Sequence, residues 1–344
     1  MTIAFTTVVV LFLCVTCSCA AFLYADVMSE VYKLTRSSEH KVVLYKGTNN
    51  EERGALDMYA VEVSSKTASS CTAVMMVVCG QHAREVITVH VCLRFLEKLV
   101  EGHSVHSDLV RRGLVSVLVV VSANPRGMDI ALTVNPCLRR NPRGVDLNRN
   151  WPRISNMEVK MSNEENPGKV PLSEFETRFV ESLLHNATGR PFRPDVLVNV
   201  HTGERMILYP YDGSTAEVPL KFTHHAVAGM VRDKFCPECK VGSGREMLYP
   251  SVGTLCDWAV ARAGVSLAYT WEIFMNETDS TPGMRGCHNK YNPDTTSAAA
   301  TRVIENWSEA LLYTMELTEK LCHAQESVIP RFSGGVCAGK NREK

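Results

Sequence analysis

The chain has 344 residues, of which 45% are hydrophobic, and its 37 basic side chains balance its 37 acidic ones. A formal net charge of zero argues against a nucleic-acid-binding protein, which normally presents a strongly basic surface. The length and apolar fraction suit a single α/β domain with a large core, because such domains commonly reach about 250–300 residues.

Residues 1–20 are predicted to be a signal peptide. Residues 4–23 carry no charge, and Ser18-Cys19-Ala20 offers small side chains at a suitable cleavage position. A run of this length also permits an uncleaved membrane anchor, since about 20 apolar residues span a bilayer. The sequence therefore predicts entry into the secretory pathway, with membrane association only if the segment is retained. Three N-glycosylation sequons agree with that route: Asn186-Ala-Thr188, Asn276-Glu-Thr278 and Asn306-Trp-Ser308.

Strand and helix patterns alternate through the rest of the chain. Short apolar runs predict six strands, at residues 41–45, 58–63, 73–79, 115–122, 195–201 and 265–272. Helical spacing of apolar residues predicts helices at 86–100, 173–185, 219–234 and 299–321. Such alternation predicts a single α/β domain, with a twisted mixed parallel and antiparallel sheet flanked by helices on both faces. We assign this domain to residues 21–325 and expect residues 326–344 to form an irregular tail.

Ten cysteines remain after the predicted signal peptide, and an even number in an exported protein is compatible with disulfide bonds. Cys236-Pro-Glu-Cys239 is predicted to be a local structural bridge, because no second such pair follows the predicted signal peptide to complete a zinc site. Cys79 and Cys92 lie within apolar patterns and fit either disulfide partners or buried free thiols.

Side chains with zinc-ligand chemistry stand at the ends of three predicted strands. His82-Ala-Arg-Glu85 follows the third strand, His201 closes the fifth, and Glu272 closes the sixth. The carboxyl ends of strands in an open α/β sheet face one crevice, so these groups are expected to converge. Two His and one Glu bind zinc while leaving its fourth position open, which is typical of a catalytic site.

A cluster of arginines provides the second signal. Four of them lie between Arg139 and Arg149, in the segment Leu138-Arg-Arg-Asn-Pro-Arg-Gly-Val-Asp-Leu-Asn-Arg-Asn-Trp-Pro152. The interleaved Gly, Pro and Asn residues favour an irregular loop that lines a pocket. A solvated basic loop on the surface is the alternative. Because a guanidinium can hold a carboxylate through two hydrogen bonds, the segment indicates recognition of a free carboxyl end.

Together these motifs resemble the zinc metallocarboxypeptidases of the carboxypeptidase A type. The resemblance spans roughly residues 70 to 275 and is specific as an ordered set. The matching motifs are His82-Ala-Arg-Glu85, Gly144-Val-Asp-Leu-Asn-Arg-Asn-Trp151, Val200-His201, Leu208-Tyr-Pro-Tyr211, Tyr249-Pro-Ser-Val-Gly-Thr-Leu-Cys-Asp-Trp258 and Thr270-Trp-Glu272.

The resemblance implies a catalytic zinc centre with one Zn²⁺ per chain. His82, Glu85 and His201 would be its ligands, and Glu272 would be the general base. Asp146 would orient His82 through the second ring nitrogen, which fixes the tautomer of the ligand.

The resemblance also implies a substrate-binding site. Asn148 and Arg149 would hold the terminal carboxylate of the substrate, and Tyr249 would close over it. Arg84 would contact the substrate backbone in the adjacent subsite.

Two of the implied residue roles have an alternative candidate. Arg139 would polarise the scissile carbonyl, but Arg140 is close enough in sequence to be its rival. Cys256 would line the base of the side-chain pocket, and this small neutral residue favours release of apolar C-terminal residues. As the alternative, Asp212 would place a carboxylate near the pocket and so favour basic C-terminal residues.

The implied function is that of a zinc-dependent exopeptidase acting on the C-termini of peptides or proteins. A catalytically silent zinc- or peptide-binding relative is a second hypothesis, although such a relative would be expected to lose the base or a ligand. An amidohydrolase acting on amino-acid conjugates or cell-wall peptides is a third. Only about fifty residues separate the predicted signal cleavage from the family core, so we expect the inhibitory pro-domain of the digestive members to be lacking. Either the C-terminal tail or a separate protein inhibitor as partner is then expected to restrain the enzyme, in a secreted, lumenal or lysosome-like location.

Overall fold

The computed structural model describes residues 22–50, 54–67, 72–101, 104–184, 193–278, 281–294 and 297–328. The predicted signal peptide, the sequon at Asn186 and residues 329–344 of the predicted tail lie outside these ranges. The described residues form eight strands, β1 (Lys41–Gly47), β2 (Met58–Ser64), β3 (Ala73–Val78), β4 (Val115–Val120), β5 (Val196–His201), β6 (Met206–Tyr209), β7 (Lys240–Ser243) and β8 (Leu267–Glu272). They also form ten helices, α1 (Tyr24–Ser37), α2 (Ile87–Val100), α3 (Val105–Arg111), α4 (Pro125–Thr133), α5 (Phe175–Leu184), α6 (Lys221–Phe235), α7 (Gly244–Met247), α8 (Leu255–Ala261), α9 (Gly283–Tyr291) and α10 (Ala298–Val328).

The strands form one mixed sheet in the order β1-β2-β4-β3-β5-β8-β6-β7. At its centre β4, β3, β5 and β8 run parallel, whereas β1, β2 and β6 pair antiparallel with their neighbours β2, β4 and β8. The strands β3, β4 and β5 are buried along their whole length, which explains their continuous apolar runs.

Helices cover both faces of the sheet, as alternate side chains of β3 illustrate. Met75 and Val77 belong to a core shared with α1, α2 and α10, whereas Met76 and Val78 belong to a second core shared with α5 and α8. Successive side chains of a strand point to opposite faces, so a single strand contributes to both cores. Truncating the fully buried Met76 to Ala should cost about 2–5 kcal/mol of stability. The predicted fold class is therefore confirmed.

The predicted elements recur, most of them with small shifts, and further elements are added. All six predicted strands and the first three predicted helices agree with the structure to within two residues at each end. The structure adds β6 and β7, whose four residues each are too few for a recognisable pattern, and the unpredicted helices α1, α3, α4, α7, α8 and α9. The final helix runs to Val328, past its predicted end at 321 and into the predicted tail. Within the described residues, no helix is both long and apolar enough to cross a bilayer.

Three disulfide bonds join described residues: Cys79–Cys92, Cys137–Cys287 and Cys236–Cys239. The bridge predicted within Cys236-Pro-Glu-Cys239 is confirmed, and Cys79 and Cys92 are disulfide partners rather than free thiols. The first bond ties the residue after β3 to α2, and the second ties the segment before the arginine cluster to α9. Both therefore restrain loops at the carboxyl edge of the sheet.

Candidate active site

Three neighbouring parallel strands, β3, β5 and β8, bring the predicted ligands to one place. His82 and Glu85 lie in the loop between β3 and α2, and His201 is the last residue of β5. Glu272 is the last residue of β8 and pairs with His201 in the register of the two strands. Residues that are far apart in sequence thus meet at the carboxyl edge of the sheet, as strand-end positions in an α/β fold require.

The loop that carries His82 and Glu85 is held in a defined shape. Gly80 has φ +65°, and a Cβ there would meet a neighbouring side chain at 2.9 Å, so the turn out of β3 requires glycine. The side-chain amide of Asn292 donates a hydrogen bond to the carbonyl of Arg84 at 2.8 Å. The loop therefore presents its two polar side chains from a fixed backbone.

His82, Glu85 and His201 form a buried cluster whose possible ligand atoms all lie within 4.8 Å of one another. The Nδ1 atoms of the two His are 3.0 Å apart, and the two oxygens of Glu85 lie 2.8 Å and 2.9 Å from them. Around a tetrahedral zinc, two ligand nitrogens would be about 3.3 Å apart. Burial opposes ionisation of Glu85, but the two imidazoles hold its pKa below the ordinary value. Two imidazoles and an ionised carboxylate, shielded from solvent, fit a zinc ion in chemistry and in spacing.

Asp146 lies behind His82 and links it to Arg139. One carboxylate oxygen is 3.2 Å from Nε2 of His82, and the other accepts a hydrogen bond from Nε of Arg139 at 2.9 Å. Burial works against the charge of Asp146, but Arg139 and His82 hold its pKa well below the ordinary value. An ionised Asp146 accepts the Nε2 proton of His82, which leaves Nδ1 free to bind a metal.

Glu272 has the properties expected of a proton acceptor. Its Oε2 atom is buried and has no hydrogen-bond partner among the described residues. Burial raises the pKa of Glu272 to about 7; His201 opposes this shift, and the nearby charge of Glu85 adds to it. A carboxyl group with a pKa near neutrality is suited to taking up a proton and returning it.

The structure distinguishes the two candidate arginines. The side chain of Arg139 is 15% exposed, and it interacts electrostatically with Glu85 and Glu272. Arg140 instead donates from Nη1 to the backbone carbonyl of Asn163 at 3.3 Å. Arg139 is therefore the arginine that lies beside the His–Glu–His cluster.

Arg149 lies in a polar clamp with Tyr249 and Ser251. Its Nη2 atom is 3.3 Å from the hydroxyl of Tyr249 and 3.2 Å from that of Ser251. Its Nε atom donates to Oε1 of Glu165 at 3.1 Å, and Nη2 forms an ion pair with the same oxygen. Asn148 is tied to the start of α8, because its side-chain oxygen accepts from the N–H of Leu255 at 3.0 Å.

Arg84, the predicted contact for the substrate backbone, pairs with Glu164, the residue that precedes Glu165 in the chain. Two of its nitrogens donate to the two oxygens of Glu164, each at 3.1 Å. Its guanidinium lies 4.1 Å from the centre of the Tyr291 ring. Arg84 therefore faces a subsite bounded by an acid and an aromatic ring.

Cys256 occupies the first turn of α8, next to two acids. Its buried thiol is not in a disulfide and accepts a hydrogen bond from Thr270 Oγ1 at 3.3 Å. Burial, with smaller contributions from the charges of Asp212 and Asp257, raises the pKa of this thiol. The carboxylate of Asp257 accepts from the N–H groups of Asp212 and Gly213 at 2.8 Å and 2.9 Å. Burial also raises the pKa of both carboxyl groups.

Four contributors to the site were not predicted: Glu164, Glu165, Ser251 and Tyr291. The two glutamates belong to the segment 153–171, whose Asn, Glu, Pro and Gly residues are typical of a surface loop. A polar loop that folds back onto basic side chains has no periodic signature. The neighbouring arginine cluster was the one available indication that acids would be needed nearby.

The comparison with known proteins agrees with this geometry. A family model described as zinc carboxypeptidase matches residues 42–301. Carboxypeptidase O of Homo sapiens is 26% identical over 268 residues, which cover 72% of this chain and 69% of the relative. A zinc carboxypeptidase of Simulium vittatum is 27% identical over 252 residues, which cover 68% of this chain and 79% of the relative.

Solved structures share the fold. Thrombin activatable fibrinolysis inhibitor matches with a TM-score of 0.72 at 20% identity, covering 87% of this chain and 75% of that one. The bovine thrombin-activatable fibrinolysis inhibitor, solved in complex with tick carboxypeptidase inhibitor, matches with a TM-score of 0.65 at 20% identity, covering 86% and 98%. Because the family model spans most of its length, this chain belongs to the zinc carboxypeptidase family and is a metallocarboxypeptidase hydrolase.

Proposed function

We propose that the protein releases residues one at a time from the C-termini of peptides or proteins, with one Zn²⁺ bound by His82, Glu85 and His201. The main support is the buried His–Glu–His cluster, which lies directly beside the ionisable carboxyl group of Glu272. A two-His, one-Glu donor set leaves room for water and substrate, as a hydrolytic centre requires.

Individual residues of the chain have separate roles in the proposed reaction. Zinc bound at the cluster supplies Lewis-acid activation of water and of the scissile carbonyl. Glu272 accepts the proton of the attacking water at its carboxylate and passes it to the leaving amine. Arg139 donates to the carbonyl oxygen as it becomes negative, a contribution of about 3–4 kcal/mol for a well-placed donor. Asp146 orients Arg139 through the hydrogen bond to Nε.

The clamp around Arg149 restricts cleavage to the last peptide bond. A buried guanidinium favours a free carboxylate over the neutral amide of an internal residue. Asn148 adds a neighbouring polar side chain, and Arg84 would contact the backbone of the preceding residue. Tyr249 is 50% exposed, so its ring stands at the mouth of the site and would cover the bound terminal residue.

The preferred C-terminal residue depends on Cys256 and Asp212. The small neutral thiol supports apolar residues, as the sequence suggested. Asp212 supports basic residues, because its charge acts on the pKa of the Cys256 thiol, Arg149 favours its ionised form, and a Lys or Arg side chain would pair with it. Asp257 is less available, since backbone N–H groups already satisfy its carboxylate. Because burial raises the pKa of Asp212 and so disfavours its charge, we propose a preference for apolar C-terminal residues, with Lys or Arg as the alternative.

Incubation of the purified protein with a mixed peptide library tests the proposed function. Mass spectrometry should show stepwise loss of single C-terminal residues. A chelator should stop the reaction, and added Zn²⁺ should restore it. Peptides with amidated C-termini should be cleaved more slowly than their free-acid counterparts. Cleavage at internal bonds, or activity that survives removal of zinc, would contradict the proposal.

We also propose that the protein is exported through the secretory pathway and meets a protein inhibitor outside the cell. Three disulfide bonds support an oxidising compartment. The complex of a structural neighbour with tick carboxypeptidase inhibitor supports the kind of partner. Recovery of the protein from the medium of secreting cells, with a shortened N-terminus, tests export. Titration of its activity with carboxypeptidase inhibitors tests the partner.

Among the sequons in described residues, Asn276 is the better candidate for a glycan. Asn306 lies within α10, and its side-chain amide donates to the carbonyl of Phe235 at 2.8 Å. A glycan on that nitrogen would disrupt the contact. Mass spectrometry of the secreted protein before and after deglycosylation tests this assignment.

A further inference from the structure

A carboxylate of the chain itself occupies the clamp proposed for the substrate carboxylate. Oε1 of Glu165 accepts hydrogen bonds from Nε of Arg149 and from the hydroxyl of Tyr249, each at 3.1 Å. The side chains of Arg149 and Glu165 are only 5% and 10% exposed, so water screens this ion pair poorly. Glu165 therefore presents to the clamp the same chemical group that a peptide C-terminus would present.

Glu165 is held in this position by its own loop. Its Oε2 atom accepts from the N–H of Ser162 at 2.9 Å, and its own N–H donates to the carbonyl of Ser162 at 3.1 Å. Burial opposes the charge of Glu165, but the hydrogen bond from Ser162 and the charge of Arg149 lower its pKa to about 2. The carboxyl group is therefore ionised at neutral pH.

The preceding residue makes an equivalent contact at the adjacent subsite. Glu164 pairs through both oxygens with Arg84, although its side chain is 51% exposed. Two consecutive acids thus engage both arginines to which the proposed function assigns substrate contacts. Glu165 is the more consequential of the two, because its ion pair is buried.

We propose that Glu165 is a specificity-determining residue, which competes with the terminal carboxylate of the substrate for Arg149 and Tyr249. This inference rests on the proposed function, since it takes Arg149 as the group that receives the C-terminus. Two carboxylates cannot share one buried guanidinium edge without strong repulsion, so the substrate must displace Glu165. Displacement weakens substrate binding and reduces the discrimination between a free C-terminus and an amidated one.

Substitution of Glu165 separates competition from a purely structural role. Glu165→Gln removes the charge and keeps the shape. We expect KM for free C-terminal peptides to fall about ten-fold and kcat to change little, since a charged hydrogen bond is worth more than a ten-fold change in affinity. Glu165→Asp, which keeps the charge but shortens its reach, should have an intermediate effect. Glu158→Gln is the matched control, because it removes an exposed acid from the same loop and should leave KM unchanged.

Calorimetric binding provides a second readout that does not need turnover. L-Lysine and L-phenylalanine are each compared with their amides on zinc-loaded wild type, Glu165→Gln and Glu158→Gln. The preference for the free acid over the amide should increase about ten-fold in Glu165→Gln alone. An unchanged preference, or a lower melting temperature with an unchanged or higher KM, would make Glu165 a structural partner of Arg149 and overturn the inference.

The kinetic and the calorimetric experiments together distinguish failure of this inference from failure of the proposed function. If the zinc-loaded wild type cleaves no peptide, the proposed function fails, and the binding arm still decides whether Glu165 competes for carboxylates. If the wild type cleaves peptides and Glu165→Gln leaves both KM and the acid-over-amide preference unchanged, the inference alone fails.

Discussion

The Nε2 atom of His82 lies 3.2 Å from Oδ1 of Asp146, on the side of the imidazole ring away from the metal-binding position. This contact assigns the ring proton to Nε2 and the lone pair to Nδ1, which faces His201 at 3.0 Å. The second oxygen of Asp146 holds Arg139. One carboxylate therefore positions both a proposed zinc ligand and the proposed donor to the carbonyl oxygen.

Replacing Asp146 should weaken zinc binding. In Asp146→Asn the neutral amide no longer stabilises the Nε2–H tautomer of His82, so zinc affinity should fall about 10–100-fold. Competition with a chromophoric chelator measures this affinity. Glu174→Gln is a suitable control, because Glu174 is also a buried acid, but its partners Asn141, Ser173 and Arg143 lie outside the cluster. Equal zinc affinities for Asp146→Asn and the wild type would refute the orienting role.

Replacing Glu272 should abolish turnover and leave the metal in place. Glu272→Gln cannot accept a proton, so kcat should fall by about 10²–10⁴-fold, the range expected of general acid–base catalysis. Zinc content by elemental analysis should stay at one ion per chain. Glu204→Gln, which removes a neighbouring acid that contributes to the pKa of Glu272, should keep most of the activity. Substantial turnover by Glu272→Gln would remove Glu272 from the base role.

The buried carboxyl of Glu272 should make the stability of the zinc-free protein depend on pH. Burial raises its pKa from 4.5 to about 7, so between these values the folded state binds more protons than the unfolded state. Rising pH therefore destabilises the fold across this window, by about 3 kcal/mol in total for this group. Urea unfolding at a series of pH values should show a smaller loss in Glu272→Gln. Parallel stability curves for the two proteins would contradict this expectation.

Asp212 should decide the choice between basic and apolar C-terminal residues. In Asp212→Asn the pocket loses the charge that would pair with Lys or Arg, so the ratio of kcat/KM for Lys-ended over Leu-ended peptides should fall about ten-fold or more. Cys256→Asp adds an acid at the pocket base and should raise the same ratio. Competition assays with paired peptides measure both changes. A ratio that does not respond to Asp212→Asn would remove Asp212 from the choice of C-terminal residue.

Much of the architecture follows from local patterns. The runs around Met75, Val117 and Val198 are continuous and apolar because these strands are buried on both faces, and that pattern persists whatever their partners. The positions of His82, His201 and Glu272 at strand ends were enough to predict that they lie at the same edge of the sheet, because ligands bind at the carboxyl ends of strands in an open α/β sheet. Short elements such as β6 and β7 escaped prediction because four residues carry too little periodicity.

The amino-acid sequence by itself determined the main strands and helices of the sheet and the residues proposed to bind zinc, because burial and ligand chemistry are properties of residue types. Only the tertiary structure decided that Arg139 rather than Arg140 stands at the cluster, that Asp212 lies near Cys256, and that Glu165 holds Arg149. Those relationships depend on where irregular loops fold back. A loop has no repeating geometry that links its residue types to a position in space, so its charges find their partners only in the folded chain.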